Sequence, residues 1–363
     1  MNTPRTLVAL VAVGGITAAS LSGCSAPGSD DAQFHVVATT TQVGDFVSHI
    51  VGDTADVQVH QLLQAGASPH AYDPSAADLL ALGDADVIVE NGLELESWLD
   101  DAVAASGATA TIVDASESAY LIATGDEHAD DDEHADEHDH SDEEEHAEEE
   151  HADDEEHTDE HDHDHGEFDP HVWHSAANAQ IMVNTILDAL VEADAAHADD
   201  YTANATEYLA ALADLDTWIV DSIEQVDPSD RLLVTSHDAF GYYIDAYDLE
   251  FVGAIIPSLD DSAEASAAEI DELVALIRET GARAVFAESS VNPAAAETIA
   301  DEAGITVYSG EEALYADSLG AAGSSGANYI ASVVHNTQLI VESWGTTALP
   351  LPESLTASLP DVG

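Results

Sequence analysis

The sequence predicts an α/β protein of two βα lobes with mostly parallel sheets, joined by one long helix. Three observations carry that prediction. Short β-type runs alternate with amphipathic helical patterns, which implies βαβ units and parallel strands. The alternation stops at one long helical stretch and then restarts beyond it. The length, 363 residues, suits two domains better than one, and 45% hydrophobic residues are enough to fill real cores.

The N-terminus reads MNTPRTLVALVAVGGITAASLSGC: one Arg, an apolar run from Leu7, then small residues before Cys24. The run is too short and too rich in small residues for a spanning helix and fits a secretory signal over residues 1–23. LSGC resembles a bacterial lipobox, which would make Cys24 the lipid attachment point. Residues 24–33 then form a polar tether. Cys24 is the single cysteine of the chain. An intrachain disulfide and a multi-Cys zinc site are therefore excluded.

The first lobe is expected over residues 34–196. FHVVATT (34–40), ADVQVHQLL (55–63), DVIVE (86–90) and ATIVD (110–114) read as strands. QVGDFVSHIVG, SAADLLALG and LELESWLDDAVAAS read as the intervening helices. A further helix runs from Ala176 through MVNTILDALVEAD. The linking helix occupies 197–227, with its clearest period from about Asp199 to Val226, and DPSD (227–230) stops it. The second lobe, 228–345, repeats the alternation. RLLVTS (231–236), LEFVGAI (249–255), RAVFAES (283–289) and ITVY (305–308) are strands. Helices are expected over DAFGYYIDAYD, from Ala263 to Thr280, from Pro293, and over 327–344; residues 346–363 are a tail.

Charge excludes one class of partner. There are 75 acidic side chains against 4 basic, a formal net charge of −71. Nothing here could neutralise nucleic-acid phosphates. The field instead concentrates cations, and so acidic a surface suits salty surroundings. Part of the imbalance is local: residues 126–165 hold 24 Asp/Glu and 10 His with no Lys or Arg. With almost no apolar residues, this tract reads as a disordered insertion in the first lobe. Its histidines are His128, His134, His138, His140, His146, His151, His157, His161, His163 and His165. Solubility alone needs only Asp and Glu, so these imidazoles point to weak, multivalent metal capture or sensing.

Four segments outside the tract place ligand-type residues near element boundaries: SPHAYDPS (68–75), FDPHVWHS (168–175), TSHDAFGYY (235–243) and LYADSLG (314–320). His237 follows a strand and precedes a helix for which Asp238 is the natural N-cap. That is the carboxyl end of a parallel strand, where open α/β sheets bind ligands. Pro74 suits the first turn of a helix capped by Asp73, which puts His70 just before a helix start. Pro170 stiffens the backbone ahead of His171. His49, His60, His174, His197 and His335 sit in helical or strand patterns or beside a better candidate and read as structural.

Taken in order, the four segments resemble the solute-binding lipoproteins of zinc and manganese ABC importers, the zinc-uptake (ZnuA-like) branch of the cluster A-I family. His70 in PHAYDPS, His171 in DPHVW, His237 in HDAFGYY and Asp317 in YADSLG match its four motifs. The resemblance covers about residues 33–345 and includes an acid- and histidine-rich insertion at this place. It implies lobes bridged by a rigid helix with the ion in the cleft, His70 and His171 coming from the first lobe and His237 and Asp317 from the second. It also implies a monomer held by a lipid anchor on the extracellular face of the cytoplasmic membrane, passing its ion to an ABC permease with its ATPase. There are two departures. His174-Ser175 replaces the usual Leu-Asp after Trp173, so His174 could be an auxiliary ligand or support the site. The disulfide common in the second lobe of zinc members cannot form.

Three imidazoles and one carboxylate suit tetrahedral Zn²⁺, whereas Mn²⁺ prefers more oxygen and its branch typically has Glu at the position of His237. Zinc is thus the expected cargo, with manganese or another divalent ion as the alternative, and a metal-dependent surface adhesin compatible with the same site. Four protein ligands leave no open position for a metal-bound water, and no His-Glu-x-x-His helix is present, so a zinc hydrolase is disfavoured.

Overall fold

The computed structural model describes residues 33–124 and 166–360. The first lobe contains β1 (Phe34–Ala38), α1 (Thr41–Val51), β2 (Val57–Gln61), α2 (Ala76–Asp84), β3 (Val87–Glu90), α3 (Leu99–Ser106) and β4 (Thr111–Asp114). Its strands form one parallel sheet in the order β2-β1-β3-β4. The central strands β1 and β3 are buried on both faces, as a sheet covered by helices on both sides requires. Alternation along each strand then feeds two cores. Val36, Val87 and Val89 face the packing of Phe46, Met182 and Leu212, while Val37 and Ile88 pack with Leu62, Leu82 and Leu99.

Two helices follow the first sheet. In α4 (Ala176–Ala193) the Ser175 hydroxyl caps the start by accepting from the Asn178 N–H. The linking helix α5 (Ala198–Ile223) buries Tyr201, Ala205, Tyr208, Leu212, Leu215 and Ile219, a stripe at three- and four-residue spacing. At 1.5 Å per residue it is about 39 Å long. The turn between them is held by Asp194, whose carboxylate meets the His197 ring (2.6 Å) and accepts from the Tyr201 hydroxyl (2.8 Å). His197 is therefore structural, as its pattern suggested.

The second lobe comprises β5 (Leu232–His237), α6 (Gly241–Tyr247), β6 (Glu250–Ile256), α7 (Ala267–Thr280), β7 (Ala284–Phe286), α8 (Ala294–Ala303) and β8 (Thr306–Tyr308), followed by α9 (Tyr329–Ser343) and α10 (Glu353–Ser358). Strands β5 and β6 pair in parallel, as do β7 and β8. The two pairs meet where the Ser236 hydroxyl donates to the Phe286 carbonyl (3.2 Å). Val234, Val252, Ile255, Leu273, Ile277, Val285 and Ile299 form this lobe's own core. The larger core is shared, running from the first sheet through α5 to Phe240, Tyr329 and Trp344.

The structure corrects several local expectations. Helix α2 is capped by Ser75, not Asp73, because Ser75 and Asp78 form a reciprocal capping box: the hydroxyl accepts from Asp78 N–H and the carboxylate accepts from Ser75 N–H. A second box, Ser266 with Glu269, starts α7 at Ala267 rather than Ala263. Asp238 does not cap α6; the helix begins at Gly241 after Phe240, and the Asp238 N–H goes to the Ser258 carbonyl. Strand β7 ends at Phe286 instead of Ser289 because the chain changes partner. Leu314 N–H donates to Ala287 O and Ser289 N–H to Leu314 O, so Glu288 comes to lie beside Leu314, three residues before Asp317. Among the described residues no helix is long and apolar enough to cross a membrane.

Candidate metal centre

Each of the four sequence-predicted side chains is set by a different local device. His70 lies in the loop from β2 to α2. The Trp98 indole donates to the Pro69 carbonyl (2.8 Å), and the Tyr72 hydroxyl reaches Asp78 (2.9 Å) and the Leu62 carbonyl (3.2 Å). His171 opens a short 3-10 turn, Val172–His174. Oδ1 of Asp169 accepts the His171 backbone N–H (2.9 Å) and meets its ring Nδ1 (2.7 Å). The Asn91 amide holds the intervening Pro170 carbonyl (2.9 Å).

His237 ends β5, at the carboxyl edge where the sequence placed it. Glu288 grips it with both oxygens: Oε1 accepts the backbone N–H (2.9 Å) and Oε2 meets Nδ1 (2.5 Å). Asp317 sits in the loop before α9, and first-lobe groups hold its backbone. Gln42 Nε2 (3.1 Å) and Trp173 Nε1 (3.2 Å) both donate to the Ala316 carbonyl. Leu319 N–H donates to Thr41 Oγ1 and Gly66 N–H to Ser318 Oγ, both at 2.8 Å.

Two motifs dock directly on one another. The Tyr242 hydroxyl donates to the Asp169 carbonyl (2.7 Å). A Cβ built on Gly241 would stand 2.7 Å from Asp169 Oδ2, so the glycine of HDAFGYY leaves room for the carboxylate that orients His171.

The result is convergence. One ligand atom from each of His70, His171, His237 and Asp317 lies within 4.8 Å of all the others, and among the described residues this is the group of three or more so placed. The three Nε2 atoms stand 3.5, 3.5 and 3.3 Å from the Asp317 oxygens. These three nitrogens and both oxygens are buried without a hydrogen-bond partner. Buried polar atoms are nearly always paired, and an orphaned carboxylate is the costliest to leave. Five orphans aimed at one point fit a cation there, with neutral Nε2 and carboxylate oxygen as its donors. For His171 and His237, the carboxylates of Asp169 and Glu288 on the Nδ1 side fix the tautomer that presents Nε2.

The electrostatics agree. Burial pushes the Asp317 carboxyl up, but His237, His70 and His171 outweigh it and hold it well below the usual range. Burial pushes His237 down, and Glu288 and Asp317 overcome this and raise it well above its ordinary value. His70 is raised for the same kind of reason: burial lowers it, and Asp317 more than offsets that.

His174 is close by but outside the group. Its buried ring packs at 4.3 Å against Phe240 with the planes tilted by 31°, and its Nε2 has no hydrogen-bond partner. Burial, with His171 adding repulsion, pushes it down to about 3, so it stays neutral. Cys24 and the ten histidines of the 126–165 tract lie outside the described residues. Sequence reading missed Glu288, Asn91, Gln42 and Thr41. Asp169 was legible only as part of the Asp-Pro-His phrase.

The family described as zinc-uptake complex component A, periplasmic (ZnuA), matches residues 36–343. The chain belongs to this family. Its members are metal-binding, substrate-binding components of ABC importers that work with a permease and its ATPase. The chain is similar to the manganese-binding lipoprotein MntA of Bacillus subtilis, 30% identical over 333 residues, covering 89% of this chain and 95% of that relative. It is also similar to the zinc-binding protein TroA of Treponema pallidum, 27% identical over 340 residues, 93% and 97% of the two chains. The solved structure of that periplasmic zinc-binding TroA matches with a TM-score of 0.70 at 26% identity, covering 86% of this chain and 100% of the other. The two-lobed α/β fold is thus common to both.

Proposed function

We propose that this protein captures Zn²⁺ with His70, His171, His237 and Asp317 and delivers it to an ABC permease for import. The observation that supports this is the set of five orphaned donor atoms converging from four separate segments of the chain. Three imidazole nitrogens and one carboxylate form a borderline-soft N₃O set, which favours tetrahedral Zn²⁺ at about 2.0–2.2 Å. In a nitrogen-rich site raw affinity also ranks zinc above manganese. With four protein donors the shell is closed, which suits carriage and leaves no water to activate. In this reading Cys24 carries a lipid that holds the protein at the outer face of the cytoplasmic membrane, and the tract histidines gather ions weakly near the tight site.

Manganese is the second reading, favoured by the similarity to the manganese-binding MntA. Competitive titration of the full chain with Zn²⁺ and Mn²⁺ tests the choice. The expected outcome is one tight equivalent that prefers zinc and disappears in His171→Ala. Tighter binding of Mn²⁺, or a tight equivalent untouched by that substitution, would overturn the reading.

A further inference from the structure

The four side chains are unequally enclosed. His171, His237 and Asp317 are 0–1% exposed, whereas the His70 side chain keeps 10% of its surface. His70 is therefore the member of the group that solvent reaches most. That residue, whose Nε2 is turned to Asp317 (3.5 Å) in the central group, also forms one wall of a cavity of about 160 Å³. Glu94, Ser97, Gly166, Pro170 and Asp260 are among its other walls, so both lobes contribute a carboxylate. The volume has room for about five waters, enough for a divalent ion that keeps part of its hydration shell.

Glu94 is presented here by an unusual backbone. Gly92, Leu93 and Glu94 have φ of 92°, 55° and 62°, three successive left-handed residues of which two carry side chains. Such conformations persist only where their surroundings enforce them, and they gather at functional sites. The enforcing group is Glu96, buried beneath the turn. Its carboxylate accepts from the Thr39 hydroxyl (2.6 Å), Asn91 N–H (2.8 Å) and Gly92 N–H (3.4 Å). The Glu94 carboxylate in turn rests against Gly166, where a Cβ would stand 3.1 Å from Oε2. Gly166 directly follows the acid- and histidine-rich tract in the sequence.

We propose that this cavity is the ion's path to and from the four-residue site, and that Glu94 with Asp260 forms a transit site for a partly hydrated divalent cation beside His70. The inference rests on the metal reading above. Hard carboxylate oxygens bind a hydrated ion weakly, whereas imidazole binds it only after water is shed. A weak oxygen station outside a nitrogen-rich site therefore lowers the barrier for entry and exit without changing the end state.

The test is stopped-flow Zn²⁺ binding to the full chain, followed by intrinsic fluorescence (the Trp173 ring lies 5.3 Å from that of His171), with release measured into excess chelator. Glu94→Gln should slow association and release together by about fivefold, the effect of one charge at contact distance in water. Its Kd should stay within about twofold of the parent. Glu94→Asn removes the same charge with a residue tolerant of the left-handed region and should behave alike. Glu279→Gln, an exposed acid on the last turn of α7 about 18 Å along the helix from its first residue, removes equal charge and should leave both rates unchanged. Parent-like rates in both Glu94 variants, or a slowdown matched by Glu279→Gln, would overturn the transit site. If the parent's tight equivalent survives His171→Ala, the underlying four-ligand reading fails instead.

Discussion

His171 and His237 reach the same arrangement by different routes. Each ring meets, through Nδ1, a carboxylate that also accepts the histidine's own backbone N–H. In the first lobe that carboxylate is Asp169, two residues away. In the second it is Glu288, fifty-one residues away on the segment that leaves β7. Oδ1 of Asp169 takes both contacts, while Glu288 uses one oxygen for each. The first-lobe half of the site is thus assembled by a local turn. The second-lobe half exists only once β5, β7 and the Asp317 loop have come together, with that loop pinned by Gln42, Trp173 and Thr41 of the other lobe.

The largest effect should come from Asp317→Ala, which removes the sole anionic member of the group. Tight zinc affinity should fall by more than about 100-fold, beyond the 10- to 100-fold range of outer partners, while His128→Ala in the tract leaves it unchanged. Isothermal titration of both variants would check this. The two orienting carboxylates come next, and they separate the lobes. Asp169→Asn can keep both contacts through its single amide oxygen, so its loss should be near 10-fold. Glu288→Gln must turn an NH₂ toward a donor, so its loss should approach 100-fold, with a fall in Tm from a buried unsatisfied pair worth about 1–3 kcal/mol. Equal losses would break the contrast between local and distant support.

Acidification gives a graded test. Zinc needs neutral imidazole, and His237 is raised well above its ordinary value by Glu288 and Asp317 against the effect of burial. A raised pKa in the ion-free protein means protons begin to compete at higher pH. Affinity should therefore fall as pH drops, starting above the ordinary histidine value of about 6.5. Asp317, held well below its usual range, stays anionic and adds nothing to this slope. Affinity measured from pH 8 to pH 5 should drop steadily, and a flat profile would exclude histidine ligation. The smallest effect is expected at His174, pushed down to about 3 and packed on Phe240. His174→Leu should change affinity by less than about threefold and raise stability by about 1 kcal/mol, since it removes an unsatisfied buried nitrogen.

The contrast between the lobes also explains what could be read in advance. Elements with strong periodicity were legible: the linking stripe from Tyr201 to Ile223, the buried strand DVIVE, and the alternation that implied parallel sheets. Pro170 and the end of β5 mark His171 and His237 locally, but what singled them out as expected ligands was the ordered set of four segments and its resemblance to a known family. Helix starts were misread at Asp73 and Asp238 because several cap-type residues crowd each boundary, and hydrogen-bond geometry selects among them. Glu288 was illegible for a different reason. It looks like any acid near a strand end in a chain with 75 of them, and only the change of strand partner after Phe286 brings it to His237. Gln42 and Thr41 read as an ordinary helix start; their role is visible only when the Asp317 loop closes over α1.

X-ray absorption at the zinc edge of the full chain loaded with one equivalent of Zn²⁺ examines the donor set itself. Three nitrogens and one oxygen at about 2.0–2.2 Å, lost on His171→Ala, is the shell expected from the four converging side chains. An oxygen-dominated shell that survives this substitution would place the first ion elsewhere and contradict the account.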